Sequence, residues 1–287
     1  MSVRVSFIIS VFEQLNYTKR CLSSLKRTLD GKVEYEVLMV DDASEDNSAE
    51  FLRSLEAPFQ VFFNSERKGF AKNNNLAASK ARGEFLCLLN NDVFVEGDWL
   101  FPMIKVFEEK EDAGVIGNVQ LLAESRKYDH MGMVFGPQGN PRHYGQWFKQ
   151  RDFCGETKRW SAVTAACCLV RRNDFLKLGG FDEIFINGCE DVDLCLRYNR
   201  NGFSNYVVHD SVVLHVKGAS AGRKRYNDRN SRILLERWGE EIRRIESVND
   251  QVLHAKNYIF RGFFRPFSIN LWKWLEAILI YFRIKRL

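Results

Sequence analysis

Two polar clusters stand where an alternating strand and helix fold would collect them. Asp41-Asp42 follow the apolar stretch 35–40, and Asn90-Asn91-Asp92 follow Phe85-Leu86-Cys87-Leu88-Leu89. A carboxylate after the second stretch can hold a divalent cation against a diphosphate. Mg²⁺ and Mn²⁺ favour oxygen ligands and keep water and substrate oxygens in their shells. The tripeptide also suits an ordinary turn, because Asn and Asp are turn formers. Further along, Gly188-Cys189-Glu190-Asp191-Val192-Asp193 puts two adjacent acids at a helix start and a third two residues on. Such acids complement the positive end of a helix dipole. They can equally supply a general base, one carboxylate modulating the other. His215 closes a strand-like run and is either a structural imidazole or a ligand completing a site begun by Asp92. Between these, Asn64-Ser65-Glu66-Arg67-Lys68-Gly69-Phe70-Ala71 reads as a loop entering a helix. It is either a solvated charge run or a loop whose glycine admits phosphate close to the backbone.

The elements that must position these groups alternate regularly in the first half. Residues 5–11, 35–40, 60–63 and 84–89 read as strands, with helices at 16–28, 46–55 and 71–81 between them. That order predicts an α/β fold, a mostly parallel sheet with helices on both faces. In such sheets ligands meet the carboxyl ends of the strands. Three of those ends are polar here: Glu13-Gln14, Asp41-Asp42 and Asn90-Asn91-Asp92. The second half is less regular. Strands are expected at 114–122, 162–170 and 207–215, and helices at 173–178, 191–201, 231–238, 252–260 and 267–283. Residues 1–240 are expected to form the main domain and 241–287 a helical extension, with Phe263-Phe264-Arg265-Pro266 as a linker.

The composition supports one large globular unit: 287 residues, 45% hydrophobic and 28% charged. A net charge of +5 with Lys and Arg spread along the chain argues against a nucleic-acid binder. Seven cysteines form no zinc-like CxxC pair, and reduced, structural thiols of a cytoplasmic protein are expected. The first residues lack a cleavable signal pattern, and no stretch is long and apolar enough to span a bilayer.

Taken together, the motifs resemble the family 2 glycosyltransferases, whose fold is called GT-A and is Rossmann-like. The resemblance covers residues 3–240. It rests on Phe7-Ile8-Ile9-Ser10-Val11-Phe12, Val40-Asp41-Asp42-Ala43-Ser44, Gly69-Phe70-Ala71-Lys72-Asn73-Asn74-Asn75, Leu88-Leu89-Asn90-Asn91-Asp92, and Gly179-Gly180-Phe181-Asp182 leading to Glu190-Asp191-Val192-Asp193. His215, Arg229-Asn230 and Arg237-Trp238-Gly239 agree with it. The nearest subgroup resembles rhamnosyltransferase-type enzymes of bacterial surface polysaccharides, whose metal motif also begins with Asn.

The resemblance implies roles. Asp41 and Asp42 would contact the base or ribose of a nucleoside-diphosphate sugar, uridine or thymidine, with backbone support from Ser10 and Val11. Glu13, Lys68, Gly69, Asn74 and Asn91 join that donor-binding set. Asn90, where the wider family often has Asp, would give a hydrogen bond rather than a charge. Asp92 and His215 would bind Mn²⁺ or Mg²⁺. Asp191 would be the catalytic base, with Glu190 beside it near the acceptor, a glycan or lipid-linked saccharide. The reaction implied is inverting single displacement. Two other readings compete. A nucleotidyltransferase would carry a glycine-rich basic loop after the first strand, where this chain has Phe12-Glu13-Gln14-Leu15-Asn16. A degenerate binding module would have no need of Asp92, Asp191 and His215 together.

Two segments carry no motif. Residues 125–158, with His130, His143, Tyr144 and Trp147, form a candidate acceptor loop. In residues 263–287, Phe264, Phe267, Leu271, Trp274, Leu275, Ile278 and Phe282 share a helical face, with Arg265, Lys273 and Arg283 away from its centre and Arg286 beyond. That face packs on the protein's own core or on the partner of a homodimer, or it lies on an anionic membrane. The last option would place the protein on the inner face of the plasma membrane.

Overall fold

The computed structural model describes residues 3–136, 139–145, 156–216, 226–245, 248–264 and 266–284. Trp147, Arg265 and Arg286, singled out above, lie outside them. The chain runs β1 (Val5–Val11), α1 (Leu15–Leu29), β2 (Tyr35–Asp41), α2 (Ser48–Arg53), β3 (Phe59–Phe63), α3 (Phe70–Lys80), β4 (Phe85–Leu89) and β5 (Val93–Val95). It continues through α4 (Phe101–Glu109), β6 (Ala113–Leu122), β7 (Tyr128–His130), β8 (Met133–Phe135), β9 (Pro141–His143), β10 (Thr157–Trp160), β11 (Cys167–Arg171) and α5 (Arg172–Lys177). After α6 (Glu190–Arg200) and β12 (Ser204–His215) come α7 (Asn227–Ile245), α8 (Val248–Phe264) and α9 (Leu271–Tyr281).

The main sheet has the order β10-β12-β6-β11-β4-β1-β2-β3, with β5 and β7 paired at its margins. β1, β2, β3, β4, β6 and β12 point one way, while β11 and β10 run against them. β1 and β4 are apolar almost throughout and buried along nearly their whole length, as strands covered on both faces must be. One face packs on α1 and α4 through Leu22, Leu25, Trp99 and Met103. The other packs on α3, α6 and α7 through Ala77, Val192, Leu196 and Trp238. The result is a three-layer α/β architecture in which β4 and β2 flank β1 on opposite sides. The connection reverses direction there, so a crevice opens past the carboxyl ends of β1 and β4.

Three expected elements differ. The strand expected at 162–170 is regular only over Cys167–Arg171, because the preceding residues bend to face the crevice. The amide of Asn90 donates to the carbonyl of Ala166 there (2.9 Å). The last helix starts at Leu271 rather than 267, because Asn270 caps it by accepting from the Lys273 amide (3.1 Å). The helix expected at 231–238 is longer, α7 running unbroken from Asn227 to Ile245.

Candidate active site

β1, β2 and β4 deliver their terminal residues to one crevice. Asp41 ends β2 fully buried, and its Oδ2 accepts from the Ser44 amide (3.3 Å). Its Oδ1 is buried with no hydrogen-bond partner, an uncommon state for a carboxylate oxygen. Asp42 is the opposite case. Its carboxylate accepts from the Lys68 amide (2.7 Å), the Gly69 amide (3.0 Å) and Asn64 Nδ2 (3.0 Å). Asp42 therefore shapes the loop into α3, and Gly69 turns into that helix at φ +85°, a conformation that favours glycine. Asn64 also donates to Asn73 Oδ1 (2.7 Å), and Asn73 donates to Ser10 Oγ (3.0 Å). The backbone around this pocket is strained: Glu13, Gln14 and Ala43 all have positive φ. The Glu13 amide is held by Ser44 Oγ (2.8 Å). Arg67 lies over the ring of Phe12 at 3.6 Å from its centroid.

The rest of the expected donor set divides. Val11 is buried, and its carbonyl accepts from the Asp42 amide (2.7 Å). Asn74 is buried and turned into its own helix, donating to the Phe70 carbonyl (2.8 Å). Asn91 points to α1, donating to Thr18 Oγ1 (3.0 Å). Asn90 and Ser10 are half-buried, and the Lys68 side chain is exposed.

Asp92 follows the turn after β4 and is buried, with Oδ1 lacking a hydrogen-bond partner. β12 ends beside it: the Val216 amide donates to the Asp92 carbonyl (3.0 Å), and His215 Nε2 stands 3.6 Å from Asp92 Oδ1. The other imidazole nitrogen, Nδ1, stands 3.6 Å from Asp129 Oδ2. Burial opposes charge on this ring, but Asp129 and Asp92 outweigh it and raise its pKa to about 9. A carboxylate behind an imidazole in this way orients metal-binding histidines in general. Among the described residues no three His, Cys, Asp or Glu side chains form a ready cation cage. Asp92 Oδ1, which accepts no hydrogen bond, and His215 Nε2, once it has given up its proton, fit a cation whose remaining positions go to diphosphate oxygens and water.

The three acids of α6 have three fates. Glu190 is buried and accepts from the Gly188 amide (2.5 Å). Asp191 is half-buried at the helix start. Its Oδ1 accepts from the Val192 amide (2.9 Å), and its Oδ2 from the Ala165 amide (3.3 Å), which ties it to the bend before β11. Asp193 is wholly buried and accepts from Arg197 Nε (2.8 Å), Arg237 Nη1 (2.9 Å) and Trp238 Nε1 (2.8 Å). Arg237 also reaches Asp182 (2.6 Å), and Asn230 donates to the carbonyls of Ile186 and Gly188. Burial works against the charge of Asp182, yet the Ile184 amide and Arg237 outweigh it and hold the carboxyl below the usual range. Residues 178–188 are thereby fixed between α6 and α7. At Gly180, φ +66°, a Cβ would strike Asn75 Oδ1. Asn187 and Cys189, at the mouth of α6, also have positive φ.

Residues 6–179 match glycosyl transferase family 2. The chain belongs to that family. It is 33% identical over 163 residues to the O-antigen biosynthesis protein RfbC of Myxococcus xanthus, covering 51% of this chain and 12% of that protein. It is 43% identical over 61 residues to the N-acetylglucosaminyl-diphospho-decaprenol L-rhamnosyltransferase of Mycobacterium tuberculosis, covering 21% of this chain and 20% of that enzyme. The chain thus spans a fifth or less of the length of these two relatives. A crystal structure of GalNAc-T7 with UDP, GalNAc and Mn²⁺ superposes with a TM-score of 0.69 at 18% identity, over 88% of this chain and 51% of that one. The fold is therefore GT-A.

The site residues expected from the sequence did not include Asp129 or Asn73. Asp129 sits in a segment without a motif, and only its place behind His215 marks it. Asn73 lies in the same Asn triplet as Asn74, and helical phase decides which of them faces Ser10. In the candidate acceptor segment, His130 and Tyr144 are fully buried. Burial, with His143 edge-on at 4.8 Å, pushes the His130 pKa well below its ordinary value.

Proposed function

We propose that the chain is an inverting glycosyltransferase that moves a sugar from a UDP- or dTDP-linked donor to a hydroxyl of a glycan or lipid-linked acceptor in cell-surface polysaccharide synthesis. The observation that carries this is that Asp41 and Asp92 each keep a buried oxygen without a hydrogen bond, while the half-buried Asp191 is tied to Ala165, next to the Ala166 carbonyl that meets the Asn90 amide. Asp41 Oδ1 would accept from the base or a ribose hydroxyl, a role its lack of a protein hydrogen bond supports. Asp92 and His215 would hold a divalent cation, Mn²⁺ or Mg²⁺, which when bound offsets the charge developing on the departing diphosphate. Asp191 would take the proton of the acceptor hydroxyl as that oxygen bonds to the anomeric carbon and the bond to the diphosphate oxygen breaks. Glu190 turns its carboxylate back onto the Gly188 amide, so its role is to hold the mouth of α6 against the acceptor. The names of the relatives, an O-antigen protein and a rhamnosyltransferase, support the polysaccharide and deoxyhexose reading. The UDP and Mn²⁺ of GalNAc-T7 support the donor and cation.

Calorimetric titration tests this reading with UDP, dTDP, GDP and CDP, each with Mn²⁺ and then EDTA, on wild type and Asp92→Ala. Metal-dependent binding of UDP or dTDP, lost in the variant, is expected. Binding of none of them by the wild type would overturn it.

A further inference from the structure

α8 and α9 form a hairpin that is fixed to the body of the protein. Asp250 on α8 accepts from Ser161 Oγ (2.5 Å) and from the Phe135 amide (3.4 Å). α9 closes on α8 through Ala255, Ala277 and Ile280, and Trp274 donates to the Ile259 carbonyl (3.1 Å) while its ring covers Gly262. That face of α9 is already covered by α8. The opposite face is not. Leu271, Trp272, Leu275, Leu279 and Phe282 fall within about 100° of arc at 3.6 residues per turn. They stand 40–81% exposed, and Phe264 and Phe267 in the adjoining turn are 74% exposed and fully exposed. A contiguous apolar surface of this kind marks an interaction site.

We propose that this face docks on an anionic lipid bilayer, lying in the interface rather than crossing it. No helix among the described residues is long and apolar enough to cross a membrane. Charge selects the occupant. Residues 256–287 contain seven Lys or Arg and a single acid, Glu276. An isologous contact with a second copy would set that positive charge against itself. An anionic headgroup layer complements it, and exposed Trp and Phe suit the boundary between headgroups and acyl chains. The proposal is independent of the donor and acceptor assigned above.

Flotation of the full chain with phosphatidylcholine vesicles, with and without phosphatidylglycerol, tests it. The wild type should partition to the anionic vesicles and weaken in high salt. Trp272→Glu with Leu279→Glu, both on the exposed face, should lower partition more than about tenfold at unchanged thermal stability. Lys273→Glu with Arg283→Glu should keep the apolar face and lose at least about fivefold per charge on anionic vesicles. Absence of wild-type flotation, or equal flotation of wild type and the Trp272 and Leu279 variant, would overturn the proposal. So would a wild-type dimer in sedimentation that this variant converts to monomer without any flotation by the wild type.

Discussion

The acids at the end of β2 and those at the start of α6 solve one problem with different materials. Each cluster contains a carboxylate saturated by protein donors beside one that keeps capacity for a ligand. At β2 the saturated member is Asp42, and its donors are two backbone amides and one side-chain amide of a single loop. At α6 it is Asp193, and its donors are the charged or indole groups of Arg197, Arg237 and Trp238 on two helices. A loop can be shaped by amides that the chain supplies anyway. Two helices can be held at a fixed angle only by long side chains that meet a buried charge. Neighbouring acids of one motif therefore differ in kind: one is spent on building the fold and, in the proposed reaction, the other works in the site.

The largest effect should come from the working member of the α6 cluster. Asp191→Asn should lower transfer by about 10²–10⁴-fold, the usual contribution of a positioned base, at unchanged melting temperature and nearly unchanged diphosphate affinity. Loss of diphosphate binding in that variant would break the comparison. Its building member should behave in reverse. Asp193→Ala leaves Arg197 and Arg237 without their buried partner and should destabilise the fold by about 3–5 kcal/mol, read as a fall in denaturant midpoint. At β2 both effects should shrink. Asp42→Ala should cost about 1–3 kcal/mol and loosen the 64–69 loop, visible as faster amide exchange at Lys68 and Gly69. Asp41→Asn should weaken donor binding by about tenfold or more while costing less stability than Asp42→Ala.

A third buried acid sharpens the contrast. Among the described residues Asp250 has the Ser161 hydroxyl and the Phe135 amide as donors, and burial wins, pushing its pKa up to about 6. The folded state therefore holds the proton more tightly than the unfolded chain does. The stability this contributes is present below about pH 4 and is lost as pH rises through about 6. Amide protection along α8 should weaken over that window in the wild type, and Asp250→Asn should flatten the change.

Much of this was legible in the sequence because it lies on regular elements. The apolar runs of β1, β2 and β4 announce buried parallel strands, and the acids at their ends announce a ligand crevice. α4 was missed, although Pro102 in its first turn is a helix-start signal, because its apolar residues run straight on from Trp99-Leu100. The short strands β7 to β10 are three or four residues long and have no period to read. The tether of Asp191 to Ala165 joins positions whose nearness exists only once β11 is inserted beside β4. Which acid builds and which works is likewise set by donors remote in sequence.

That insertion also bears on how the protein is made. β4 emerges from the ribosome with β1 to pair on one side, while β11, its neighbour on the other, is not complete until Arg171 has been joined. Until then Phe85-Leu86-Cys87-Leu88-Leu89 is an open and wholly apolar strand edge, the kind that pairs with other chains. The amino-terminal half of the nascent chain thus carries an unpaired apolar edge until the second half supplies its partner.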